Sequence, residues 1–404
     1  MGKHAVVIGA GQAAAAFAAK LRATDPSWSI TILGEEPVLP YQRPPLSKKY
    51  MTGEMNFDRL LLRPQEWYDE QNIACRTGVR VEAIDPKNAR IGIGDGSSIP
   101  YDAALIATGA VPRSLPASIG GDLAGVYTLR NLADADRLAA EFKPGRSLLV
   151  VGGGYIGLEA AAVAALAGMK VRVVEMAPRI LQRVASAETA ERIRAEHRAH
   201  GVEIIEGASL ARLVARDGHV ASAELAGGGT IECDCVLAGI GIVPDTALAE
   251  AAGLAIDNGI AVDSACRTSA TGIFAAGDCA SFPLYGRRVR LESVQNAIEQ
   301  AEAAALAVAG HDVAYRPVPW FWSDQYDMKL QIAGLNTGYD STVTRSGQRE
   351  GASSVWYFAD GQFLAVDAVN DSRAYMIGKR LLETAKGITP DQAADSTLDL
   401  KTLI

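Results

Sequence analysis

A short pattern that occurs twice constrains this chain more than any other feature of its sequence. Each copy runs from a β-branched stretch through a glycine cluster and an alanine-rich segment to a second apolar stretch and an acidic residue. The first copy spans residues 4–35 and the second spans residues 147–175. An apolar strand that leads into a glycine turn and a helix is typical of a nucleotide-binding βαβ unit. The duplication therefore predicts two such units in one α/β chain.

The first copy has the spacing of a dinucleotide-binding turn. Gly9 and Gly11 leave room for a tight turn and a nearby phosphate, and Ala14 fills the third small position. The unpaired N–H groups at the start of the following helix attract a pyrophosphate. Glu35 ends the second strand, where its carboxylate can accept both hydroxyls of a ribose. The pattern predicts a helix over residues 15–23 and a strand over residues 29–33.

The second copy repeats this arrangement with Gly152, Gly154, Gly157 and Glu175. A carboxylate at Glu175 would repel a 2′-phosphate, which favours NADH over NADPH, although Arg179 leaves NADPH open. Two dinucleotide sites in one chain suggest hydride transfer between a nicotinamide and a flavin. The glycines alone do not decide which site takes which cofactor.

Composition narrows the function classes. The chain has 39 Lys and Arg against 47 Asp and Glu, a formal charge of −8, which argues against a nucleic-acid partner. We see no secretion signal and no apolar stretch long enough for a membrane span. The five cysteines are scattered without a metal-binding spacing, which indicates free thiols in a reducing compartment. We therefore expect a cytoplasmic protein with no metal site.

The rest of the chain predicts further elements of the same α/β class. Apolar strands ended by glycine turns are expected at residues 103–109 and 272–278, and the Pro-rich residues 37–47 are expected to form an ordered functional loop. Beyond residue 317, aromatic and alternating segments predict antiparallel strands. We expect a separate α+β domain there.

Eight motifs in a fixed order resemble the FAD-dependent NADH:ferredoxin reductases of the putidaredoxin reductase and aromatic-ring dioxygenase type. They are GAGQAAA (9–15), RPPLSK (43–48), ATG (107–109), GGGYIGLE (152–159), GIGIVPD (239–245), AAGDCA (275–280), LESVQNAIEQ (291–300) and PWFWSDQYD (319–327). The resemblance implies a glutathione-reductase-like fold, with two Rossmann-type domains and a C-terminal α+β domain. It implies an FAD-binding domain at residues 1–110 and 242–317, an NAD-binding domain at 111–241 and a C-terminal domain at 318–404.

The resemblance also implies which residues contact each cofactor. For FAD they are Gly9, Gly11, Ala14, Glu35, Arg43, Lys48, Ala107, Thr108, Gly109, Asp278, Val294 and Trp320. For NADH they are Gly152, Gly154, Tyr155, Ile156, Gly157, Glu159, Glu175 and Arg183.

Three of these residues are implied to be catalytic. Lys48 resembles the lysine beside flavin N5, Glu159 the glutamate at the nicotinamide end, and Trp320 an aromatic residue at the flavin edge. An ammonium in a water-poor site would stabilise the negative charge that a flavin gains on reduction. The alternatives are that Lys48 and Glu159 are surface side chains and that Trp320 is a core residue.

The partner is predicted partly from an absence. Disulfide reductases of this fold carry reactive cysteines after the first unit, whereas residues 41–47 contain none. The resemblance implies that electrons leave singly to a 2Fe–2S ferredoxin. Arg287, Arg288, Arg290 and Lys329 are basic residues that could steer an acidic ferredoxin, although the arginine run could also be a solvated loop.

We therefore predict an NADH-dependent ferredoxin reductase that supplies a monooxygenase or a ring-hydroxylating dioxygenase. Two alternatives remain open from the sequence. One is a flavoprotein that resembles apoptosis-inducing factor and acts through interaction. The other is a diaphorase-type reductase of small acceptors.

Overall fold

The computed structural model describes residues 2–404 and groups them into two compact units. The first unit holds residues up to Gln42 together with Asn56–Val111 and Val243–Pro317. The second unit holds Arg43–Met55, Pro112–Ile242 and Val318–Ile404. Each unit contains one copy of the duplicated pattern. The finer division into FAD-binding, NAD-binding and C-terminal domains stays a prediction.

The strands are numbered in chain order. They are β1 (His4–Ile8), β2 (Ser29–Leu33), β3 (Ile73–Arg76), β4 (Val81–Asp85), β5 (Arg90–Ile93), β6 (Ser98–Pro100), β7 (Ala103–Ile106), β8 (Ala110–Pro112), β9 (Val126–Tyr127), β10 (Ser147–Val151), β11 (Lys170–Glu175), β12 (Glu203–Glu206), β13 (Leu210–Arg216), β14 (His219–Leu225), β15 (Thr230–Glu232), β16 (Cys235–Ala238), β17 (Ile242–Pro244), β18 (Ile260–Ala261), β19 (Ile273–Ala275), β20 (Ala280–Leu284), β21 (Arg287–Val289), β22 (Trp320–Gln325), β23 (Met328–Gly334), β24 (Ser341–Ser346), β25 (Ser353–Ala359) and β26 (Gln362–Val369).

The helices are numbered in the same way. They are α1 (Gln12–Thr24), α2 (Gln65–Glu70), α3 (Leu132–Ala139), α4 (Tyr155–Leu166), α5 (Ala187–Ala199), α6 (Ala247–Ala251), α7 (Val294–Val308), α8 (Ser372–Glu383) and α9 (Pro390–Ala394). Short 3₁₀ turns lie at Pro44–Ser47, Phe57–Arg59, Ala117–Ile119 and Leu400–Leu403. No helix among residues 2–404 is long and apolar enough to cross a membrane.

The first unit is built on a parallel five-stranded sheet with the order β19-β7-β1-β2-β3. Strand β1 is buried along residues 5–8, as the continuous apolar run predicts for a strand covered on both faces. Helices α1 and α7 pack against each other through alanine-rich faces. Gly277 lies over this contact, because a Cβ there would touch the Cβ atoms of Ala13 and Ala297.

The second unit repeats this plan and adds an antiparallel sheet. Its parallel sheet has the order β12-β11-β10-β16-β9, with α4 packed on β10 and β11. The C-terminal strands form a five-stranded antiparallel sheet in the order β22-β23-β26-β25-β24. Helix α8 packs on β26 and β23 over a core that includes Trp356, Phe358 and Leu381.

The predicted fold class is confirmed. Each unit has a parallel sheet in which a glycine turn joins a strand to a helix, and the C-terminal region is α+β. Strand β2 has the predicted bounds, whereas α1 begins at Gln12, three residues before the predicted start. Gly11 is the extended N-cap residue of α1, so the helix starts inside the glycine motif itself. Alanine content marked the middle of this helix well and its first turn poorly.

Candidate active site

The first glycine turn joins β1 to α1. Gly9 has φ +106°, and a Cβ there would lie inside the carbonyl of Ala107, which follows β7. Gly11 caps the helix, and a Cβ on it would meet no atom within 4 Å. Ala14 is fully buried under the first turn. Gly9 is therefore required by the protein's own packing, whereas Gly11 borders open space.

The second glycine turn has the same geometry. Gly152 has φ +106°, and a Cβ there would lie inside the carbonyl of Gly239, which follows β16. Gly154 caps α4 and again would present its Cβ to open space. Gly157 lies against the carbonyl of Gly152 and leaves no room for a side chain.

Both helix starts fit the pyrophosphate of a dinucleotide. The N-terminal N–H groups of α1 and α4 carry partial positive charge, and no side chain at Gly11 or Gly154 covers them. A Cβ on either glycine would enter open space beside these N–H groups, where a phosphate would have to approach the backbone. The two turns thus pass the same physical test, one in each unit.

The two acidic residues that end β2 and β11 have different surroundings. Glu35 is exposed and forms an ion pair with Arg80 at 3.0 Å. Glu175 is half-buried, and its two oxygens accept the backbone N–H groups of Gly153 at 2.6 Å and Ala177 at 2.7 Å. Glu175 is therefore held rigidly beside the glycine turn. Glu35 is held only by its ion pair with Arg80 at the protein surface.

The predicted FAD residues are divided between the units. The first unit contains Gly9, Gly11, Ala14, Glu35, Ala107, Thr108, Gly109, Asp278 and Val294, and the second contains Arg43, Lys48 and Trp320. Thr108 donates to the carbonyl of Asp245 at 2.7 Å. Arg43 donates to the carbonyl of Arg130 at 2.9 Å. Trp320 lies 5.6 Å from Trp322, measured between ring centroids, and packs on the C-terminal core.

The predicted NADH residues all lie in the second unit. Ile156 is exposed, and Arg183 is exposed beside Gly241. Tyr155 begins α4 and lies against Phe321, with 5.0 Å between the ring centroids. Burial of the Tyr155 hydroxyl raises its pKa well above the usual value. This hydroxyl has no hydrogen-bond partner among residues 2–404.

Arg179 is engaged within its own loop. Its guanidinium donates to the carbonyl of Ala185 at 2.7 Å and to that of Ile180 at 3.3 Å. A guanidinium held by backbone carbonyls is less available to a 2′-phosphate. The geometry thus weakens the argument for NADPH that the sequence left open.

Lys48 and Glu159 form a buried ion pair. The ammonium lies 2.8 Å from Oε2 of Glu159, and the two side chains are 17% and 5% exposed. The surface alternative for this pair is therefore wrong. Helix α4 places Glu159 just after the second glycine turn, and the 3₁₀ turn Pro44–Ser47 places Lys48 over the helix.

Sequence reasoning missed two side chains that contact Glu159. Ser47 donates to Oε2 at 2.6 Å and Ser323 donates to Oε1 at 2.7 Å, and both serines are buried. Both lie inside motifs that carry the family resemblance, RPPLSK and PWFWSDQYD. That position was the one signal that could have pointed to them.

The cysteines are free, and four of the five are buried. Burial raises the pKa of the Cys233 and Cys235 thiols to about 12 and also raises that of Cys279. Thiols with raised pKa values are poor nucleophiles. The predicted inert thiols at these three positions are consistent with this burial.

The arginines of the run differ in how many of their hydrogen-bonding groups are already engaged. Arg288 donates to the carbonyls of Ser281 at 2.7 Å and Val262 at 3.0 Å. Arg290 is 11% exposed and pairs with Glu292 at 2.6 Å. Arg287 is exposed, next to the turn of the β20–β21 hairpin.

Comparison with known proteins assigns the family. Residues 3–301 match the pyridine nucleotide-disulphide oxidoreductase family, and residues 320–404 match the reductase C-terminal family. Rhodocoxin reductase of Rhodococcus erythropolis is 41% identical over 99% of this chain and 94% of its own length. Putidaredoxin reductase CamA of Pseudomonas putida is 37% identical over 99% of this chain and 96% of its own.

The chain belongs to the pyridine nucleotide-disulphide oxidoreductase family, among its ferredoxin reductases. A solved structure agrees, since the covalent putidaredoxin reductase–putidaredoxin complex matches with a TM-score of 0.95 and 36% identity. That match covers 99% of this chain and 98% of the other. Membership confirms the predicted oxidoreductase activity and the predicted cofactors, FAD and NADH.

Proposed function

We propose that this ferredoxin reductase passes electrons from NADH through FAD to a 2Fe–2S ferredoxin that supplies a monooxygenase or a ring-hydroxylating dioxygenase. The reaction is NADH plus two oxidised ferredoxins to NAD⁺, one proton and two reduced ferredoxins. The buried Lys48–Glu159 pair carries the proposal, because it places an ion pair of fixed geometry in the same unit as the second glycine turn. We further propose that the enzyme works in the cytoplasm, which its free cysteines favour.

We assign the first glycine turn to FAD and the second to NADH, following the family resemblance. Gly9, Gly11 and Ala14 would receive the FAD pyrophosphate, with Glu35 toward the ribose. Gly152, Gly154 and Gly157 would receive that of NADH. Support comes from the two open helix N-termini, which offer N–H groups without a covering side chain.

Glu175 is the residue that we assign to the choice of NADH. Its carboxylate is held by two backbone N–H groups, so it cannot turn away from an approaching 2′-phosphate without losing both bonds. Repulsion of that phosphate disfavours NADPH, and the bonded state of Arg179 adds to this preference. Arg183, which is exposed, is assigned to NADH as well.

Bound FAD supplies the chemistry that accepts a hydride and releases single electrons. The chain positions and stabilises the reacting groups. We assign to Lys48 the stabilisation of the negative charge that reduction creates, since a largely buried ammonium acts more strongly than a solvated one. We assign to Glu159 the holding of that ammonium and of the nicotinamide end.

Trp320 is our candidate for the exit of electrons. It is partly buried at the start of β22, beside Trp322, and an aromatic side chain there can close a site from water. Its contact with the C-terminal core also supports the packing alternative.

Docking of ferredoxin is proposed near Arg287, Arg288, Arg290 and Lys329. Arg287 and Lys329 have exposed side chains, whereas Arg288 and Arg290 bond to neighbouring backbone and acidic groups. We therefore expect Arg287 to contribute most to steering within the arginine run. The contribution of Arg288 and Arg290 is to hold the β20–β21 hairpin in place.

The experiment that tests the function is NADH-driven reduction of cytochrome c with and without added 2Fe–2S ferredoxin. A ferredoxin reductase should reduce cytochrome c slowly alone and at least tenfold faster with ferredoxin, because the iron–sulfur protein carries each electron. A rate that ignores ferredoxin would instead indicate a reductase of small acceptors.

A further inference from the structure

A chain of buried hydrogen bonds extends from Glu159 away from Lys48. It begins at Oε1 of Glu159, which accepts the hydroxyl of Ser323 at 2.7 Å. A serine hydroxyl has one proton, and this one is donated to the carboxylate. The Ser323 oxygen in turn accepts Nε2 of Gln325 at 3.1 Å. The serine and the glutamine are at most 2% exposed.

The chain continues from Gln325 to His197 on α5. Oε1 of Gln325 lies 2.7 Å from Nε2 of His197, which is fully buried. The hydroxyl of Tyr326 lies 3.2 Å from the other ring nitrogen, Nδ1. His200 stacks on Tyr326 with 3.7 Å between ring centroids and is within 3.5 Å of Glu196. These side chains lie at the end of the hydrogen-bond chain that is farthest from Glu159.

Every proton in this chain has one allowed position. The Glu159 carboxylate can only accept, so Ser323 donates to it and must accept from the amide nitrogen of Gln325. The amide oxygen then faces His197, whose Nε2 must carry the ring proton. Burial lowers the pKa of His197 to about 4, so the ring is neutral at neutral pH and Nδ1 accepts from Tyr326.

All the donors therefore point toward the Glu159 carboxylate. Aligned dipoles of this kind strengthen one another and favour negative charge at the accepting end. Lys48 and Ser47 donate to Oε2, so Oε1 depends on Ser323 and on the chain behind it. The orientation of this carboxylate is thus set from two sides.

We infer that Gln325 and His197, acting through Ser323, are positioning residues that hold the Glu159 carboxylate in place for hydride transfer. The inference rests on the proposed function of the Lys48–Glu159 pair. Gln325 fixes the direction of the chain, because an amide presents a donor to one neighbour and an acceptor to the other. A residue with two acceptors at this position would reverse the demand on Ser323, which would have to donate to it, while His197 would still donate to it as before.

Gln325→Glu makes that change with almost no change in shape. A carboxylate at this position competes with Glu159 for the Ser323 proton and favours a positively charged His197. Selective ¹⁵N labelling of the histidines in the FAD-bound enzyme reports the ring directly. In the parent we expect His197 to be neutral, with its proton on Nε2, from pH 6 to pH 8. In Gln325→Glu we expect it to be protonated at pH 7.

Stopped-flow reduction of the flavin by NADH measures the consequence. In Gln325→Glu the rate should fall about tenfold, since a hydrogen bond to a charged acceptor is weakened. Its pH profile should gain an ionisation that the parent lacks. Gln325→Leu should slow reduction without that ionisation. The matched control is Gln331→Leu on the neighbouring strand, which should keep the parent rate and the parent profile.

Two results would overturn the inference. One is a His197 ring that stays neutral at pH 7 in Gln325→Glu, and the other is a parent-like rate and pH profile in that variant. Glu159→Gln, measured alongside, separates the two levels of the argument. If Glu159→Gln slows flavin reduction while Gln325→Glu does not, the positioning role of Gln325 and His197 is wrong and the role of the ion pair stands. If Glu159→Gln keeps the parent rate, the proposed role of the ion pair is wrong and the inference falls with it.

Discussion

At the scale of single residues, burial distinguishes charged side chains that look alike in the sequence. Lys48 is the positive member of a pair whose glutamate is nearly sealed from water, with 17% of the lysine side chain exposed. Its neighbour Lys49 is exposed. The two lysines therefore differ in surroundings while sharing a charge and a place in the sequence.

Replacement of Lys48 by Met should slow reduction of the bound flavin by NADH about tenfold or more, because the charge that develops on reduction loses its ammonium. Stopped-flow absorbance of the flavin measures this rate. Lys49→Met is the matched control and should behave as the parent. Equal rates for Lys48→Met and the parent would contradict the proposed role of Lys48.

Asp367 is a second buried charge, on β26. Tyr357 and Thr189 donate to its Oδ2, whereas Oδ1 has no hydrogen-bond partner among the described residues. Burial raises the pKa of Asp367 to about 6, against the bonds from Tyr357 and Thr189, which lower it. Its charge in turn acts on the buried Tyr155 hydroxyl.

Asp367 should make the enzyme less stable as pH rises from about 4 to 6. In that interval the folded state binds the proton that the unfolded chain has lost, so unfolding becomes easier with increasing pH. Asp367→Asn removes this titration. Relative to the parent, its free energy of unfolding in urea should improve by about 1–3 kcal/mol between pH 4 and pH 7. A difference that stays constant across this range would rule the explanation out.

At the scale of elements, the two glycine turns are near-copies built in separate units. In each, the first glycine has φ +106°, and a Cβ on it would meet the carbonyl of the residue that follows a neighbouring strand. The second glycine caps a helix beside open space. The first glycine therefore serves folding. The second leaves the helix N-terminus open to a ligand, which we propose is the pyrophosphate of a dinucleotide.

Substitutions at Gly152 and Gly154 should separate these two roles. Gly152→Ala should cost about 3 kcal/mol or more of stability, because the Cβ meets the Gly239 carbonyl at a positive φ. Gly154→Ala should stay within about 1 kcal/mol of the parent, since its φ of −84° suits alanine and its Cβ meets no atom. Urea unfolding measures both values.

The binding of NAD⁺ completes this test. Gly154→Ala should bind NAD⁺ at least tenfold more weakly by calorimetry, because the new methyl group occupies space assigned to the pyrophosphate. Unchanged affinity in a folded Gly154→Ala variant would show that the pyrophosphate does not approach this helix.

For the molecule as a whole, the formal charge of −8 opposes an acidic partner. Association with an acidic partner must then depend on local patches of positive charge. The strength of such a patch depends on which basic side chains are exposed. Arg288 and Arg290 are tied to neighbouring groups, and Arg287 is exposed.

Arg287→Glu should raise the KM for an acidic ferredoxin about three- to tenfold at low ionic strength and much less in 0.5 M salt. The measurement is the rate of ferredoxin-dependent cytochrome c reduction across salt concentrations. Arg349→Glu makes the same charge change at another exposed arginine and should have a small effect. Equal effects of the two substitutions would argue against docking at Arg287.

The sequence by itself determined the fold class, the two dinucleotide turns and the cofactors. These features depend on local backbone geometry: a strand, a turn that only glycine permits and a helix start lie within a few residues of each other. A local signal of this kind is fully present in the order of the residues.

Only the tertiary structure decided which side chains are hydrogen-bonded to one another in the candidate site. Ser323 donates to a carboxylate 164 positions away, and His197 meets Gln325 across 128 positions. The sequence shows no periodicity that links such partners, because each contact depends on how sheets and helices pack. The arginine run is the reverse case, since folding of the hairpin ties up charges that the sequence presents as free. Long-range packing, not residue type, settles which polar groups are buried, paired or exposed.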